Sequence, residues 1–199
     1  LAVVMQLSSF VFSPIIVVQP LGVVSLLLTT LLTARAIRQR LPNVKIFAVA
    51  LCIIGVGAFV TVAALFAKER AISDEQVATV LVLLAVVVVV FGTAFLFLRK
   101  RFKALIYVLG AGAIYGFVAT LAKITINRIQ HDNFEWLTLI CLVALLVATG
   151  VGGYFVQNAY ASGPPDMVIA GLTVIDPIIA VGIAIAVLGE ANAAPWYAF

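Results

Sequence analysis

The feature that most constrains this chain is a series of apolar runs, each about as long as a bilayer is thick. A helix needs about 20 apolar residues to cross a hydrocarbon core of about 30 Å. We place a helix tail at 1–12, the start of another helix at Pro195, and full spans near 14–34, 46–67, 77–98, 104–126, 136–157 and 165–189. The sequence therefore predicts an all-α, polytopic transmembrane helix bundle.

Composition supports a membrane bundle over a water-soluble domain. Of the 199 residues, 65% are hydrophobic and 10% are charged, whereas soluble domains are about 45–50% apolar and about 25% charged. The net charge of +4 could suggest nucleic-acid binding. However, the basic residues lie in short loops between apolar runs, a placement typical of membrane topology. We expect the lipid bilayer as a partner and no nucleic acid.

The basic loops also predict an orientation. Loops 35–45 and 99–103 each carry four Lys or Arg residues, so both are expected in the cytoplasm. Loops 68–76 and 127–135 mix acidic and basic residues and are expected on the outside. The prediction is a multi-pass protein of the plasma (inner) membrane.

The span 165–189 carries the pair Asp176-Pro177 near its centre. An ionisable residue at that depth is costly and marks a functional-site hypothesis, and a proline removes a backbone donor. The pair predicts an interrupted helix, with Asp176 as the N-cap of a second half that starts at Pro177. Such breaks mark binding sites in secondary transporters. The alternative is that Asp176 caps a half-helix and does nothing else.

Helix geometry predicts which polar residues share the depth of Asp176. With a rise of about 1.5 Å per residue, Tyr115 and Ser25 fall in the same layer. Lys123 falls about 11 Å nearer the outer surface, so we expect its side chain to reach the lipid headgroups. Two further polar candidates for contact with substrate are Gln19 and Thr173.

The spans differ in polarity, which predicts how they pack. The spans 14–34, 104–126, 136–157 and 165–189 hold most of the polar residues, so we expect them to surround a cavity. The span 77–98 has almost no polar atoms and is expected to face lipid. Gly112, Gly116 and the GVGG sequence at 150–153 are small residues of the kind that let membrane helices approach closely.

The sequence gives no support for an enzyme. Cys52 and Cys141 lie singly in apolar runs, and the one histidine, His131, lies in a loop. Neither a metal-ligand spacing nor a nucleophile–base arrangement is present. We expect no catalytic residue, no metal site and no cofactor.

An internal repeat is visible as a pattern. A shift of 151 positions places Pro14 on Pro165 and Ser25 on Asp176. It relates spans that are five apart, so the two copies would cross the membrane in opposite directions. Residues 1–98 would be the end of a first inverted repeat and residues 104–199 the second. We also expect the chain to be a fragment of a longer membrane protein, because LAVVMQLSSF reads like a helix already under way.

Three stretches resemble members of the drug/metabolite transporter (DMT) superfamily. SPIIVVQPLGVVSLLLTTLLTARAIRQRL is similar to their third helix, GAGAIYGFVATLAK to the helix that opens their second half, and TVIDPIIAVGIAIAVLGE to their eighth helix. Both EamA-like permeases and NIPA-like transporters share this pattern. The resemblance implies a bundle of nine or ten helices in two inverted halves with a substrate cavity between them. It carries over Pro20 and the Asp176-Pro177 pair as site residues.

The function expected is a permease that moves a small solute or metabolite by alternating access, coupled to protons or another gradient. Asp176 would be the coupling or substrate-contact residue. One alternative is a NIPA-like carrier of a divalent cation such as magnesium, and another is a non-transporting membrane subunit. The expected partners are a small-molecule or ion substrate and, as an option, a second copy of the chain in a homodimer.

Overall fold

The computed structural model describes residues 12–20, 43–66, 72–98, 103–130 and 135–190, together with positions 8, 9, 22, 24 and 32. The five long helices among these residues are α1 (Asn43–Phe66), α2 (Asp74–Leu98), α3 (Lys103–Gln130), α4 (Trp136–Ser162) and α5 (Pro165–Ala186). Residues 15–20 form a short additional helical stretch within the segment 12–20. In the part of the chain that is described, all regular structure is helical, so the predicted all-α class is confirmed.

The helices match five of the predicted spans to within a few residues. Four of them are long and apolar enough to cross a membrane, namely Asp74–Ala94, Ala104–Gln130, Trp136–Ser162 and Met167–Ala186. Most of the predicted span 14–34 lies outside the described residues. The chain is therefore a helical membrane protein, as its apolar runs predict.

The helix α3 is the centre of the bundle and contacts α2, α4 and α5. Of its most apolar stretch 72% is buried, against 22% or less for the other three candidate spans. The difference follows from its small residues, since Ala111 and Ala113 are almost fully buried and leave room for neighbouring helices. As predicted for the span 77–98, α2 presents a mostly exposed apolar surface that includes Val82, Val86 and Val90.

Two glycines bring α3 and α5 into close contact. A Cβ atom added at Gly112 would lie 2.7 Å from Cβ of Ile175, and one added at Gly116 would lie 2.8 Å from Cβ of Ile179. Real Cβ atoms do not approach so closely, so only glycine allows this crossing. The small residues of α3 predicted to promote packing have that role here.

The helix α5 is continuous, which corrects the predicted interruption at Asp176-Pro177. The helix begins at Pro165 and runs to Ala186 with Pro177 inside it. Pro177 lacks an N–H, so the carbonyl of Thr173 loses its helical donor. The contacts of Ile175 and Ile179 with α3 lie on either side of the proline. This packing holds the helix together where local sequence alone predicts a break.

Candidate functional site

An open cavity of about 350 Å³ lies beside the proline of α5, and two of the residues that line it, Val174 and Ile178, are more than half exposed. Its walls are formed by the segment 12–20, α1 and α5, and the residues that line it are Pro20, Phe59, Val174, Pro177, Ile178 and Val181. Ligand sites typically start at about 300 Å³, so this volume suits a small solute. Two residues predicted from the sequence, Pro20 and Pro177, thus face the same space although 157 positions separate them in the chain.

Two buried polar atoms without hydrogen-bond partners lie next to these prolines in the chain. Within the described part of the protein, Nε2 of Gln19 and Oδ1 of Asp176 have no partner. Gln19 is only 5% exposed, and Asp176 is half-buried. Buried polar atoms are nearly always paired, so each exception needs an explanation. The predicted N-cap role of Asp176 is wrong, since α5 is continuous there.

Tyr115 lies at the level of Asp176, as its predicted depth requires. The residue after it, Gly116, is where an added Cβ would lie 3.0 Å from the backbone oxygen of Asp176. The ring of Tyr115 packs against α4, however, where an added Cβ at Gly152 would lie 3.3 Å from it. Tyr115 therefore shares a layer with Asp176 while its ring helps to join α3 to α4.

The two remaining sequence candidates contribute less to this site. The hydroxyl of Thr173 donates a 2.7 Å hydrogen bond to the carbonyl of Ile169 in its own helix. That bond uses its donor within α5 and leaves the oxygen as an acceptor. Ser25 lies outside the described residues.

The predicted exposure of Lys123 at the headgroups is wrong. Lys123 is 1% exposed, and its Nζ donates a 3.0 Å hydrogen bond to the carbonyl oxygen of Ser13. Its depth in the membrane stays a prediction, and its side chain points inward. The physical reason is a buried acid, Glu190, whose charge interacts with that of Lys123.

Glu190 joins the end of α5 to the segment 12–20. One carboxylate oxygen accepts a 3.2 Å hydrogen bond from the backbone N–H of Ile15, and the other accepts a 3.0 Å bond from that of Ile16. Gly189 adopts a φ of 67°, a conformation that favours glycine. The turn is closed by a bond from the N–H of Glu190 to the carbonyl of Ala184.

The environment of Glu190 changes its acidity. Burial raises the pKa of its carboxyl group above the ordinary value. The two backbone hydrogen bonds and the charge of Lys123 act in the opposite direction and offset part of that rise. These partners compensate part of the cost of burying the carboxylate.

Further polar contacts join the helices where α3 ends and α4 begins, a region called here the α3–α4 end. Arg128 is 2% exposed and donates to Asp74 of α2 and, over 2.9 Å, to Oγ1 of Thr138 of α4. Gln76 donates a 2.9 Å bond from Nε2 to the carbonyl of Val187. This end is therefore closed by polar contacts that link α2, α3, α4, α5 and the segment 12–20.

Sequence reasoning did not identify Glu190 as part of a polar cluster. The available signal was the Gly-Glu pair that directly follows the apolar run of α5. A glycine at a helix end predicts a turn, but the acceptor role of the acid depends on a segment about 175 positions away. In the part of the chain that is described, no three His, Cys, Asp or Glu side chains converge as metal ligands. Cys141 is a buried free thiol.

The fold and these buried polar groups define a multi-pass helical membrane protein. The chain is 31% identical over 195 residues to an uncharacterized protein of Corynebacterium glutamicum. The match covers 96% of this chain and 66% of that protein, so the chain spans just under two thirds of the length of its relative. No family model matches the chain, and no solved structure is significantly similar to it.

Proposed function

We propose that this chain forms part of a permease that carries a small solute across the plasma membrane by alternating access. The observation that supports this proposal is the pair of buried, unpartnered polar atoms on Gln19 and Asp176. They belong to two different parts of the chain, and the adjacent residues, Pro20 and Pro177, line one cavity. A polar group that is buried without a partner reduces stability by about 1–3 kcal/mol.

That cost is explained if a solute, a proton or water supplies the missing partner during transport. Asp176 would accept a hydrogen bond or a proton, and the amide of Gln19 would donate a hydrogen bond. The cavity wall is apolar in this state, and neither Gln19 nor Asp176 lines it. We interpret this arrangement as a closed state, in which the two polar atoms are buried away from the cavity.

The wider architecture of the proposal follows the resemblance to the DMT superfamily. The second inverted repeat would include α3, α4 and α5, and the segment 12–20 and α1 would belong to the first. The cavity would then lie between the two repeats. This is where alternating access places a solute in transporters built from inverted repeats.

The proposal is tested by transport in proteoliposomes. Purified protein is reconstituted with a panel of labelled amino acids, nucleosides, sugars and polyamines, with Mg²⁺ included for the NIPA-like alternative. An internal pH dye reports proton movement. We expect uptake of at least one organic solute with a rate that depends on pH, and no uptake into vesicles without protein.

The decisive variant is Asp176→Asn, which keeps the shape of the side chain and removes its charge. We expect uptake to fall about tenfold or more, equivalent to a loss of ~1.4 kcal/mol of interaction, and its pH dependence to disappear. The matched control is Glu75→Gln, which removes the charge of an exposed acid of α2 outside the cavity. Unchanged uptake and pH dependence in Asp176→Asn would exclude the proposed role of Asp176.

A further inference from the structure

We propose that Glu190 is a latch that holds the segment 12–20 on α3 and α5, and that its release opens the α3–α4 end of the bundle towards the cavity. The latch deepens the proposed function, because such an opening would admit solute to the site at Gln19 and Asp176. The placement of Glu190 and Lys123 against the segment supports this latch.

The segment 12–20 depends on Glu190 for its first hydrogen bonds. The first N–H groups of any helix have no partner within it. Here the first helical bonds run from the N–H groups of Val17 and Val18 to the carbonyl of Pro14. The N–H groups of Ile15 and Ile16 come before these bonds and therefore need an acceptor outside the helix. Both bond to the carboxylate of Glu190. One side chain therefore satisfies both groups.

Lys123 binds the same segment at Ser13, two residues before Ile15. Its ammonium group donates to the carbonyl of Ser13, and its charge interacts with that of Glu190. The segment is thus contacted by α3 through Lys123 and by the end of α5 through Glu190. Both contacts are charge-assisted, which makes them about twice as strong as hydrogen bonds between neutral groups.

The latched segment, residues 12–20, forms part of the cavity wall. Ile15 and Ile16 are fully buried beside the latch, Gln19 holds one of the unpartnered atoms, and Pro20 forms part of the cavity wall. Displacement of the segment would therefore open a path from the α3–α4 end and move one wall of the cavity. Glu190 acts on the cavity through the segment, so it is a positioning residue.

The latch is tested without any substrate, by labelling a buried cysteine. The reporter is Ala180→Cys in a background without Cys52 and Cys141. Ala180 is fully buried in α5, one turn from Asp176 on the side of Glu190. A membrane-impermeant methanethiosulfonate reagent is added to reconstituted protein, and the labelling rate is compared between variants. Because no solute is present, this test can succeed or fail independently of the transport assay.

We expect Glu190→Ala to raise the labelling rate about tenfold or more, since it removes two hydrogen bonds to a charged group. Glu75→Ala is the matched control, because it removes an exposed acid of α2 near the same end and should leave the rate unchanged. If Glu190→Ala fails to fold because the buried Lys123 loses the charge of Glu190, the double variant Lys123→Met/Glu190→Ala is compared with Lys123→Met. The two then differ only in the Glu190 carboxylate.

Faster labelling in the folded Glu190 variants, with a normal rate in Glu75→Ala, supports the latch. Wild-type labelling in folded protein that lacks the Glu190 carboxylate would overturn it. Faster labelling in Glu75→Ala as well would also overturn it, because the effect would then be a general loosening of this end.

Discussion

Single residues in this protein illustrate how the same amino acid has different roles according to what packs against it. Gly116 and Gly150 both lie inside predicted spans and both read as small packing residues. In the structure, an added Cβ at Gly116 would meet Ile179 at 2.8 Å and the backbone oxygen of Asp176 at 3.0 Å. An added Cβ at Gly150 would meet nothing within 4 Å. Only the first glycine is required by a neighbouring helix.

The two glycines should therefore respond in opposite directions to the same substitution. We expect Gly116→Ala to destabilise the protein by about 1–3 kcal/mol, because the methyl group is forced into the backbone of α5. Gly150→Ala should stabilise it by about 0.5–1 kcal/mol, since alanine favours the helix and finds open space. Thermal unfolding in detergent measures both. Equal shifts of the melting temperature would contradict the close α3–α5 contact.

At the scale of one helix, α5 shows how tertiary contacts override a local signal. Asp176-Pro177 predicts a break, because proline cannot donate to the carbonyl of Thr173. The helix nevertheless continues from Pro165 to Ala186. Inside a membrane bundle, neighbouring helices allow a proline to be tolerated within a span. In α5, Ile175 and Ile179 pack on the two glycines of α3 and supply that support.

A continuous α5 predicts that Pro177→Ala keeps the helix and strengthens it. The alanine N–H can donate to the carbonyl of Thr173, which adds about 1 kcal/mol of stability. We expect a higher melting temperature with unchanged helical content by circular dichroism. Pro165→Ala is the matched control, since Pro165 lies in the first turn of α5, where its missing donor costs nothing. A gain of helical content in Pro177→Ala would instead indicate a helix broken at this proline.

For the whole molecule, the arrangement of buried charges connects the two ends of the described chain. Glu190 binds the backbone of residues 15 and 16, and Lys123 on the central helix faces it. Among the described residues, the charged group that acts on Glu190 is Lys123 of α3. The side chain of α2 that binds the turn before Glu190, at the carbonyl of Val187, is the uncharged Gln76. The segment 12–20 has no titratable side chain. The protonation of Glu190 is therefore coupled to the position of the segment.

The sign of this coupling follows from the acidity of Glu190. Burial raises the pKa of its carboxyl in the latched structure, and hydration on opening would return the pKa towards its ordinary value. The cost of burying the charge exceeds what the two hydrogen bonds and Lys123 offset. The latched state therefore binds the proton more tightly, so acid favours the latch. Its release is favoured as the pH rises through the raised pKa.

We therefore expect labelling of the Ala180→Cys reporter to become faster as the pH rises. At each pH the rate is divided by that of an exposed reporter, Glu75→Cys, which cancels the titration of the thiol itself. In the Glu190→Gln background this normalised rate should be independent of pH. A pH dependence that persists in Glu190→Gln would assign the effect to another group.

The sequence by itself determined the class of this protein and the positions of its helices. Apolar length is a local property, and a run of about 20 such residues needs lipid or a buried core whatever its neighbours are. For this reason α1 to α5 lie where their spans are predicted, and Tyr115 lies level with Asp176. Gln19, Pro20 and Pro177 were also candidates from the sequence, because polar residues and prolines are conspicuous in apolar runs, and their contact with a solute stays a prediction.

Only the tertiary structure decided which of these residues meet and in which direction they point. Lys123 is buried and does not extend to lipid headgroups. The carbonyl of Ser13 accepts its hydrogen bond, and the acid Glu190, from another part of the chain, interacts with its charge. The helix α5 continues through Pro177 because α3 packs against it. Interactions between residues more than a hundred positions apart depend on how the helices cross. The local pattern of each helix does not contain that information.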